Sequence, residues 1–180
     1  MGTASMNSHA VYFYAEDFFL IDKVAHFVRR GLDQNETVIV IATAEHRAEL
    51  KSKLMAENVI GLLASNGRDY VPFDVSTILD LVMHNGWPHE SLFLKVMGQM
   101  IESSASGAPV RIYGEMVAVL CAEGKQRAAI RLEELWNKLA MQCEFSLLCG
   151  YPLLAFQGHD NALAFQHICA CHSQVMSSRG

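Results

Sequence analysis

The stretch that decides the fold reads Val-Ile-Val-Ile-Ala at residues 38–42, and a second stretch, Phe-Ser-Leu-Leu-Cys at residues 145–149, has nearly the same character. Both runs are short and almost continuously apolar. Such runs are typical of strands buried on both faces, as in a parallel sheet covered by helices. With similar runs elsewhere, the predicted strands span residues 10–14, 37–43, 70–73, 110–113 and 145–151.

Stretches with helical periodicity lie between these runs. Apolar residues at positions 21, 24, 25, 28 and 32 repeat at helical spacing, and a second stripe runs through residues 128–143. A further helix should follow Trp87-Pro88, and a last helix should span Asn161 to about Met176, after a turn at residues 158–161. The alternation of strand and helix predicts an α/β protein, a layered α/β/α fold with a mostly parallel central sheet and right-handed crossovers.

The composition describes one folded domain and excludes several classes of protein. The chain has 180 residues, of which 51% are hydrophobic and 18% charged, and its formal net charge is −5. It is too apolar for a disordered chain, lacks the basic character of a general nucleic-acid binder, and has no apolar run long enough for a membrane span. The first residues lack the features of a secretory signal. We therefore expect a cytoplasmic protein with a flexible N-terminus at 1–8, one domain at 9–176 and a flexible C-terminus at 177–180.

The five cysteines are an odd number in a chain without a signal peptide, so reduced, buried thiols are expected in place of disulfides. Cys169, Cys171 and His172, together with Cys149, offer the ligand types of a soft-metal site. Residues two apart on a helix do not face one another, however, so Cys169 and Cys171 cannot both reach one ion from a regular helix. We therefore expect no metal site and no cofactor.

The common catalytic motifs are absent from the sequence. It has no G-x-x-x-x-G-K-[ST] phosphate loop (the Walker A loop), no G-x-G-x-x-G after the first strand, no G-x-S-x-G and no H-E-x-x-H. Helix-turn-helix and zinc-finger spacings are absent as well. We therefore expect a protein without enzymatic activity.

Polar and aromatic residues gather where the predicted strands end. In an open parallel sheet, ligands bind outside the carboxyl ends of the strands. Each residue taken alone is better explained as part of a solvated loop, and only their convergence indicates a pocket. The residues at these ends are Tyr14 with Glu16 and Asp17, Thr43 with Glu45 and His46, Asp74, Gly114 with Glu115, and Cys149 with Tyr151.

Glu115 is the strongest single candidate for a ligand-binding residue. It follows the predicted strand at 110–113 and precedes an apolar helix that starts near Met116. Its carboxylate can hydrogen-bond a ligand or bind a cation, and Gly114 permits close approach of the backbone. The alternative is helix capping, since an acidic side chain in a first turn interacts favourably with the helix dipole. His9, placed before the first strand, and His172, near the end of the last helix, are further candidates. Three interpretations stay open for each: a pocket residue, a pH-sensitive group or a satisfied surface side chain.

Several segments share their order and spacing with one known family. They are the opening His-to-Phe-Tyr-x-acid-acid pattern at 9–17, residues 31–43 and 45–47, Tyr-Gly-Glu-Met-Val at 113–117 with 122–124, residues 131–139, and the tail at 145–151 and 165–173. On these segments the chain resembles the MEDS domain, the methanogen/methylotroph sensory domain named with the DcmR regulator. The resemblance covers nearly the whole chain, from about residue 9 to 175.

The resemblance implies a sensory module with a RecA/KaiC-like core that lacks the Walker A loop. It also implies a histidine-kinase or transcriptional output and a small hydrocarbon derivative as the signal. The recurring positions of the family are matched by His9, Tyr14, Glu115, Cys149, Tyr151 and His172. With the strand-end residues, the candidate ligand-binding set is His9, Tyr14, Glu16, Thr43, His46, Tyr113, Glu115, Cys149, Tyr151 and His172.

The leading hypothesis is a non-enzymatic signalling domain that binds a small organic molecule and passes its occupancy to a kinase or transcriptional regulator. A homodimer is one option for its assembly, and no direct contact with nucleic acid or membrane is expected. One alternative is a divergent nucleotide-binding or hydrolysing RecA-like protein, which ATP hydrolysis abolished by Glu115→Gln would favour. Another is a pure protein-interaction module, which a strand-end region filled by side chains would favour.

Overall fold

The computed structural model of the chain describes residues 7–59, 70–105, 107–157 and 161–178. The strands are β1 Ser8–Tyr14, β2 Thr37–Ala42, β3 Tyr70–Asp74, β4 Met83–His84, β5 Trp87–Pro88, β6 Val110–Gly114, β7 Ser146–Pro152 and β8 Gln174–Ser177. The helices of the described ranges are α1 Asp17–Asp33, α2 Ala44–Ala56, α3 Val75–Val82, α4 Glu90–Ala105, α5 Met116–Ala122, α6 Gln126–Leu139 and α7 Ala162–Cys171, with a short 3-10 helix at Leu153–Phe156.

Six strands form one sheet in the order β3-β2-β6-β7-β1-β8, and every pairing in it is parallel. Helices α1 and α2 cover one face, which we call the front face, and α3 to α7 cover the other, the back face. Alternate residues of each strand enter the two cores: Val11 and Phe13 of β1 point to the back, and Tyr12 and Tyr14 to the front. The predicted layered α/β/α fold with a mostly parallel sheet is confirmed.

The two deciding stretches are central strands. All six residues of β2 are buried, as are five of the seven residues of β7. The predicted stripe of α1 is also buried at Ile21, Val24 and Leu32, against the front of the sheet. Because strands covered on both faces need apolar side chains throughout, the high apolar content is largely a consequence of the architecture.

The C-terminal segment differs from the predicted helix to about Met176. Helix α7 ends at Cys171, His172 is extended, and the chain continues as β8 beside β1. The Ser173 N–H donates to the His9 carbonyl at 2.7 Å. Pairing with β1 satisfies backbone groups of the segment, whereas its side chains offer no apolar stripe to hold a helix on the core. Residues 158–160 of the predicted turn lie outside the described residues.

A small hairpin precedes α4. Trp87 and Pro88 form β5, which pairs antiparallel with β4, and α4 begins only at Glu90. The connecting residues Asn85 and Gly86 have φ of 51° and 75°. Two successive positive φ angles are the geometry of a type I′ turn, for which Asn-Gly is a preferred sequence.

No helix in the described ranges combines the length and the apolar character needed to cross a membrane.

Candidate functional site

Nine of the ten candidate residues separate into two clusters on opposite faces of the sheet. The Glu115 cluster, on the front face, consists of Tyr14, Thr43, His46, Tyr113 and Glu115. The Glu133 cluster, on the back face, consists of His9, Glu133, Cys149, Tyr151 and His172. Glu16 belongs to neither, since it is exposed at the N-cap of α1, where its side chain makes no capping bond.

Glu115 lies directly after β6 and is 2% exposed. Its Oε2 accepts the Thr43 N–H at 2.9 Å, and its Oε1 accepts the Tyr113 hydroxyl at 2.8 Å. The Nδ1 of His46 lies 2.8 Å from the same Oε1. Thr43 and His46 belong to the junction of β2 and α2, so one carboxylate joins the carboxyl ends of two neighbouring strands.

His46 carries the positive charge that balances this carboxylate. Its hydrogen bond with Glu115 raises the pKa of His46 to about 9, although burial opposes the shift, and Asp17 adds to it from 3.5 Å. Burial raises the pKa of Tyr14 and of Tyr113, and the charge of Glu115 raises both further. The two phenols therefore stay protonated, and the Tyr113 hydroxyl acts as a hydrogen-bond donor.

The capping explanation of Glu115 does not describe its contacts. Glu115 is the N-cap residue of α5, but its carboxylate makes no capping bond and turns to Thr43, His46 and Tyr113. These three residues occupy both oxygens of the carboxylate. The predicted convergence at the strand ends is present, in the form of an internal network.

The Glu133 cluster surrounds a second buried carboxylate. Glu133, on α6, is 0% exposed. Its Oε1 accepts the Tyr151 hydroxyl at 2.7 Å, and its Oε2 lies 3.0 Å from His9 Nε2 and accepts the Cys149 thiol at 3.6 Å. The Nε2 of His172 lies 3.4 Å from Oε1 but in a geometry that makes no hydrogen bond.

The partners of Glu133 come from two strands and the end of the last helix. His9 is the second residue of β1, Cys149 lies in the middle of β7, and His172 follows the end of α7. Cys149 and Tyr151 face the helices of the back face, and Tyr151 lies one residue before the end of β7. The resemblance named these four side chains, and the structure brings them together around Glu133 on the back face.

Charge dominates this cluster. Burial alone would raise the pKa of the Glu133 carboxyl, but His172 and His9 outweigh burial and hold it well below its usual range. Burial would lower the pKa of His172, and the adjacent Glu133 raises it above its ordinary value. Burial and the same carboxylate raise the pKa of the Cys149 thiol and of the Tyr151 hydroxyl.

Glu133 itself is a functional candidate that the sequence reasoning missed. It lies four residues after Ala129 and three before Trp136, both buried on the face of α6 that packs on the core. A carboxylate at core spacing on an apolar stripe is rarely buried without partners, and this was the available signal. Asn137, one turn further along α6, binds His9 Nδ1 through its Oδ1 at 2.9 Å.

An open cleft of about 820 Å³ lies at the amino ends of the strands on the front face, and we call it the amino-end cleft. None of the ten candidate residues lines it. Apolar side chains such as Phe27, Leu148 and Met176 form part of its wall. Three basic residues (Lys23, Arg30 and Arg111) and two acidic ones (Glu36 and Glu144) also line it, so positive charge is in slight excess. A smaller cleft of about 330 Å³ opens beside His9 and His172.

The sequence matches the family model described as MEDS, the MEthanogen/methylotroph, DcmR Sensory domain, over residues 8–173. No curated protein matches the chain. Since the match runs from the first residue of β1 to the residue before β8 and includes both carboxylate clusters, the chain belongs to the MEDS family of sensory domains.

Proposed function

We propose that this chain is a cytoplasmic small-molecule sensor that binds an organic ligand in the amino-end cleft and passes its occupancy to a histidine kinase or a transcriptional regulator. The observation that carries the proposal is the cleft itself, because a volume of about 820 Å³ lies within the range of small-molecule sites, about 300–1,000 Å³. Membership of a sensory family supports the signalling role.

The lining of the cleft favours a ligand with an apolar body and an acidic or polar group, a description that includes hydrocarbon derivatives. Phe27, Leu148 and Met176 offer apolar contact, and Arg30 offers an exposed guanidinium at the rim. The cleft lies between α1 and the strands β1, β7 and β8, so a ligand would contact elements from both ends of the chain. Binding transmits a signal if the ligand prefers one arrangement of these elements over another.

Calorimetric titration with short-chain alcohols, ketones and carboxylic acids as probes tests the proposal. We expect a probe of this set to bind the wild type, and Ala108→Trp, which fills the cleft from its loop wall, to abolish that binding. Arg30→Gln should raise the dissociation constant of an acidic probe by roughly tenfold, which corresponds to about 1.4 kcal/mol of binding free energy. Arg29→Gln is the matched control, because Arg29 pairs with Glu57 and does not line the cleft. Absence of binding by all probes, or binding that Ala108→Trp leaves unchanged, would contradict the proposal.

A protein-interaction module is the second candidate. It is favoured by the internal hydrogen bonds that occupy the Glu115 carboxylate, and by Phe18 and Phe19 at the start of α1, which are 65% and 41% exposed. In this case Phe18→Ser should abolish binding to a partner domain while the response to small probes remains absent. The two candidates therefore predict different results. Ala108→Trp removes binding of a small molecule in the first case, and Phe18→Ser removes binding of a partner domain in the second.

We propose that the chain has no enzymatic activity. In the nucleotide-binding alternative, phosphate would lie at the N-terminus of α1, where Glu16 and Asp17 add negative charge and would repel it. ATP hydrolysis by the purified protein that is lost in Glu115→Gln would overturn this proposal.

A further inference from the structure

We propose that His9, Glu133, Cys149 and His172 form a binding site for a divalent transition-metal ion, with zinc as the best fit. The potential ligand atoms of these four residues all lie within 4.8 Å of one another. Two imidazoles, one thiol and one carboxylate are the ligand types that zinc accepts in four-coordinate sites. This inference goes beyond the ligand cleft of the proposed function and does not depend on it.

Three of the distances among these atoms are close to the edges of a tetrahedral site. Bonds of about 2.0–2.3 Å to a central zinc place neighbouring ligand atoms about 3.3–3.7 Å apart. The Nε2 of His9 lies 3.6 Å from Cys149 Sγ and 3.0 Å from Glu133 Oε2, which is itself 3.6 Å from the sulfur. The fourth ligand, His172 Nε2, is 3.4 Å from Glu133 Oε1. Small side-chain movements would complete the tetrahedron.

Outer contacts orient both imidazoles for binding. Asn137 donates through Nδ2 to the Cys171 carbonyl, so its Oδ1 faces His9 Nδ1 at 2.9 Å and must accept. The Ile168 carbonyl accepts from His172 Nδ1 at 2.6 Å. Each ring therefore carries a hydrogen on Nδ1, and the Nε2 of each ring faces the cluster. Ring nitrogens held in this way are the usual support of metal-bound histidines.

The same geometry leaves a polar atom that needs a cation. With hydrogens on both Nδ1 atoms, an Nε2 atom without a proton is a hydrogen-bond acceptor, and so is the Glu133 oxygen that it faces. Two acceptors repel each other, so a proton or a metal ion is needed between them. The side chain of His172 is 0% exposed, and its Nε2 has no hydrogen-bond partner among the described residues. A divalent ion would satisfy both nitrogens at once.

The charges balance when the ion binds. Zinc contributes two positive charges, Glu133 one negative charge, and the thiolate form of Cys149 the other. The thiol proton leaves to solvent, so each ion bound releases at least one proton. The cleft of about 330 Å³, lined by His9, Asn137 and His172 among others, provides a route from solvent.

Cobalt titration of the full chain, previously dialysed against a chelator, tests the site. One equivalent of Co²⁺ should give the visible absorption of a tetrahedral site and a near-ultraviolet thiolate-to-cobalt band, and Zn²⁺ should displace it. At about 100 times its dissociation constant, Zn²⁺ should raise the melting temperature by about 5–10 °C. No stoichiometric binding, or an absorption of octahedral type, would overturn the proposal.

Variants identify the ligands. Cys149→Ser, which is close to isosteric, should keep the circular dichroism spectrum and lose the thiolate-to-cobalt band. Cys171→Ser is the matched control, because Cys171 adjoins His172 but is not one of the four ligands, and it should keep the band. Asn137→Ala should weaken Co²⁺ binding about 10- to 100-fold, as expected for a positioning residue. The absorption spectrum of the bound cobalt should stay the same. A band that survives Cys149→Ser, or disappears in Cys171→Ser, would place the metal elsewhere and overturn the assignment.

Discussion

Two buried carboxylates define the chemistry of this molecule at the scale of single residues. Glu115 and Glu133 are 2% and 0% exposed, on opposite faces of the same sheet. Moving a charge out of water costs several kcal/mol, and each carboxylate offsets that cost with a tyrosine hydroxyl and adjacent histidine nitrogens. Removal of one partner leaves a buried charge only partly compensated, so the histidines determine how each site responds to pH.

His46 should make the stability of the protein depend on pH in the alkaline range. Its pKa is raised from 6.5 to about 9 in the folded state, so its stabilising charge is fully present below about pH 6.5 and is lost as the pH rises through 9. We expect His46→Gln to cost about 1–3 kcal/mol at pH 6 and much less at pH 10. Urea unfolding of both proteins across this range measures the difference.

The control for this prediction is His26→Gln, which changes an exposed histidine of α1. Its difference from the wild type should stay small at every pH. If the free-energy difference between the wild type and His46→Gln is constant from pH 6 to pH 10, the charge of His46 does not stabilise the fold.

The sequence predicted one of the two carboxylates because of where each lies. Glu115 follows a recognisable strand, and strand ends on one edge of a parallel sheet converge by topology alone. Glu133 lies within a helix, and its partners come from β1, β7 and the segment after α7. Which helix face meets which strand depends on packing between distant parts of the chain, so spacing along the sequence does not bring these groups together.

At the scale of elements, the contact between α1 and the sheet depends on a close approach at Gly31. A Cβ atom there would lie 2.8 Å from Val38 Cγ2 and 2.9 Å from Arg111 Cδ. Arg111 is fixed between Glu36, with which it forms an ion pair, and the ring of Phe27 at 4.8 Å. The last turn of α1 therefore lies directly on β2 and β6, with no space for a side chain.

Gly31→Ala and Gly98→Ala should have opposite effects on stability although both residues lie in helices. Overpacking at Gly31 should destabilise the protein by about 1–3 kcal/mol. At Gly98, on α4, the nearest atom is 3.9 Å away, so the greater helix propensity of alanine should stabilise by about 0.5–1 kcal/mol. Chemical denaturation of both variants tests the pair, and equal effects at the two positions would show that the close approach does not limit packing.

Helices and strands were predictable where the pattern of apolar residues in their own sequence determines their conformation. Strand β2 and helix α1 carry their burial pattern in full, and both were predicted. Strand β8 was missed because its four residues are mostly exposed, and it is a strand only because β1 offers it a free edge. The preceding helix is short, and its pattern gave no sign of an end at Cys171.

At the scale of the whole molecule, β8 closes one side of the sheet. Strand β1 pairs with β7 on one side and with β8 on the other, and both the Val11 and Phe13 side chains of β1 lie in the back core. The match to the family model ends one residue before β8. Without β8, the backbone groups along one edge of β1 would face solvent, and an exposed edge is a template for pairing with another chain.

Deletion of residues 174–180 should therefore lower the stability of the protein and promote its self-association. We expect a melting temperature lower by about 5 °C or more, and a mass in light scattering that rises with protein concentration, because unpaired β1 edges can pair with each other. The matched control is Val175→Ala, which keeps the backbone of β8 and changes a side chain that is 52% exposed. That variant should melt like the wild type and keep its mass. A shortened chain with unchanged melting temperature and mass would mean that β8 does not protect the sheet, and that the fold is complete at the segment containing His172.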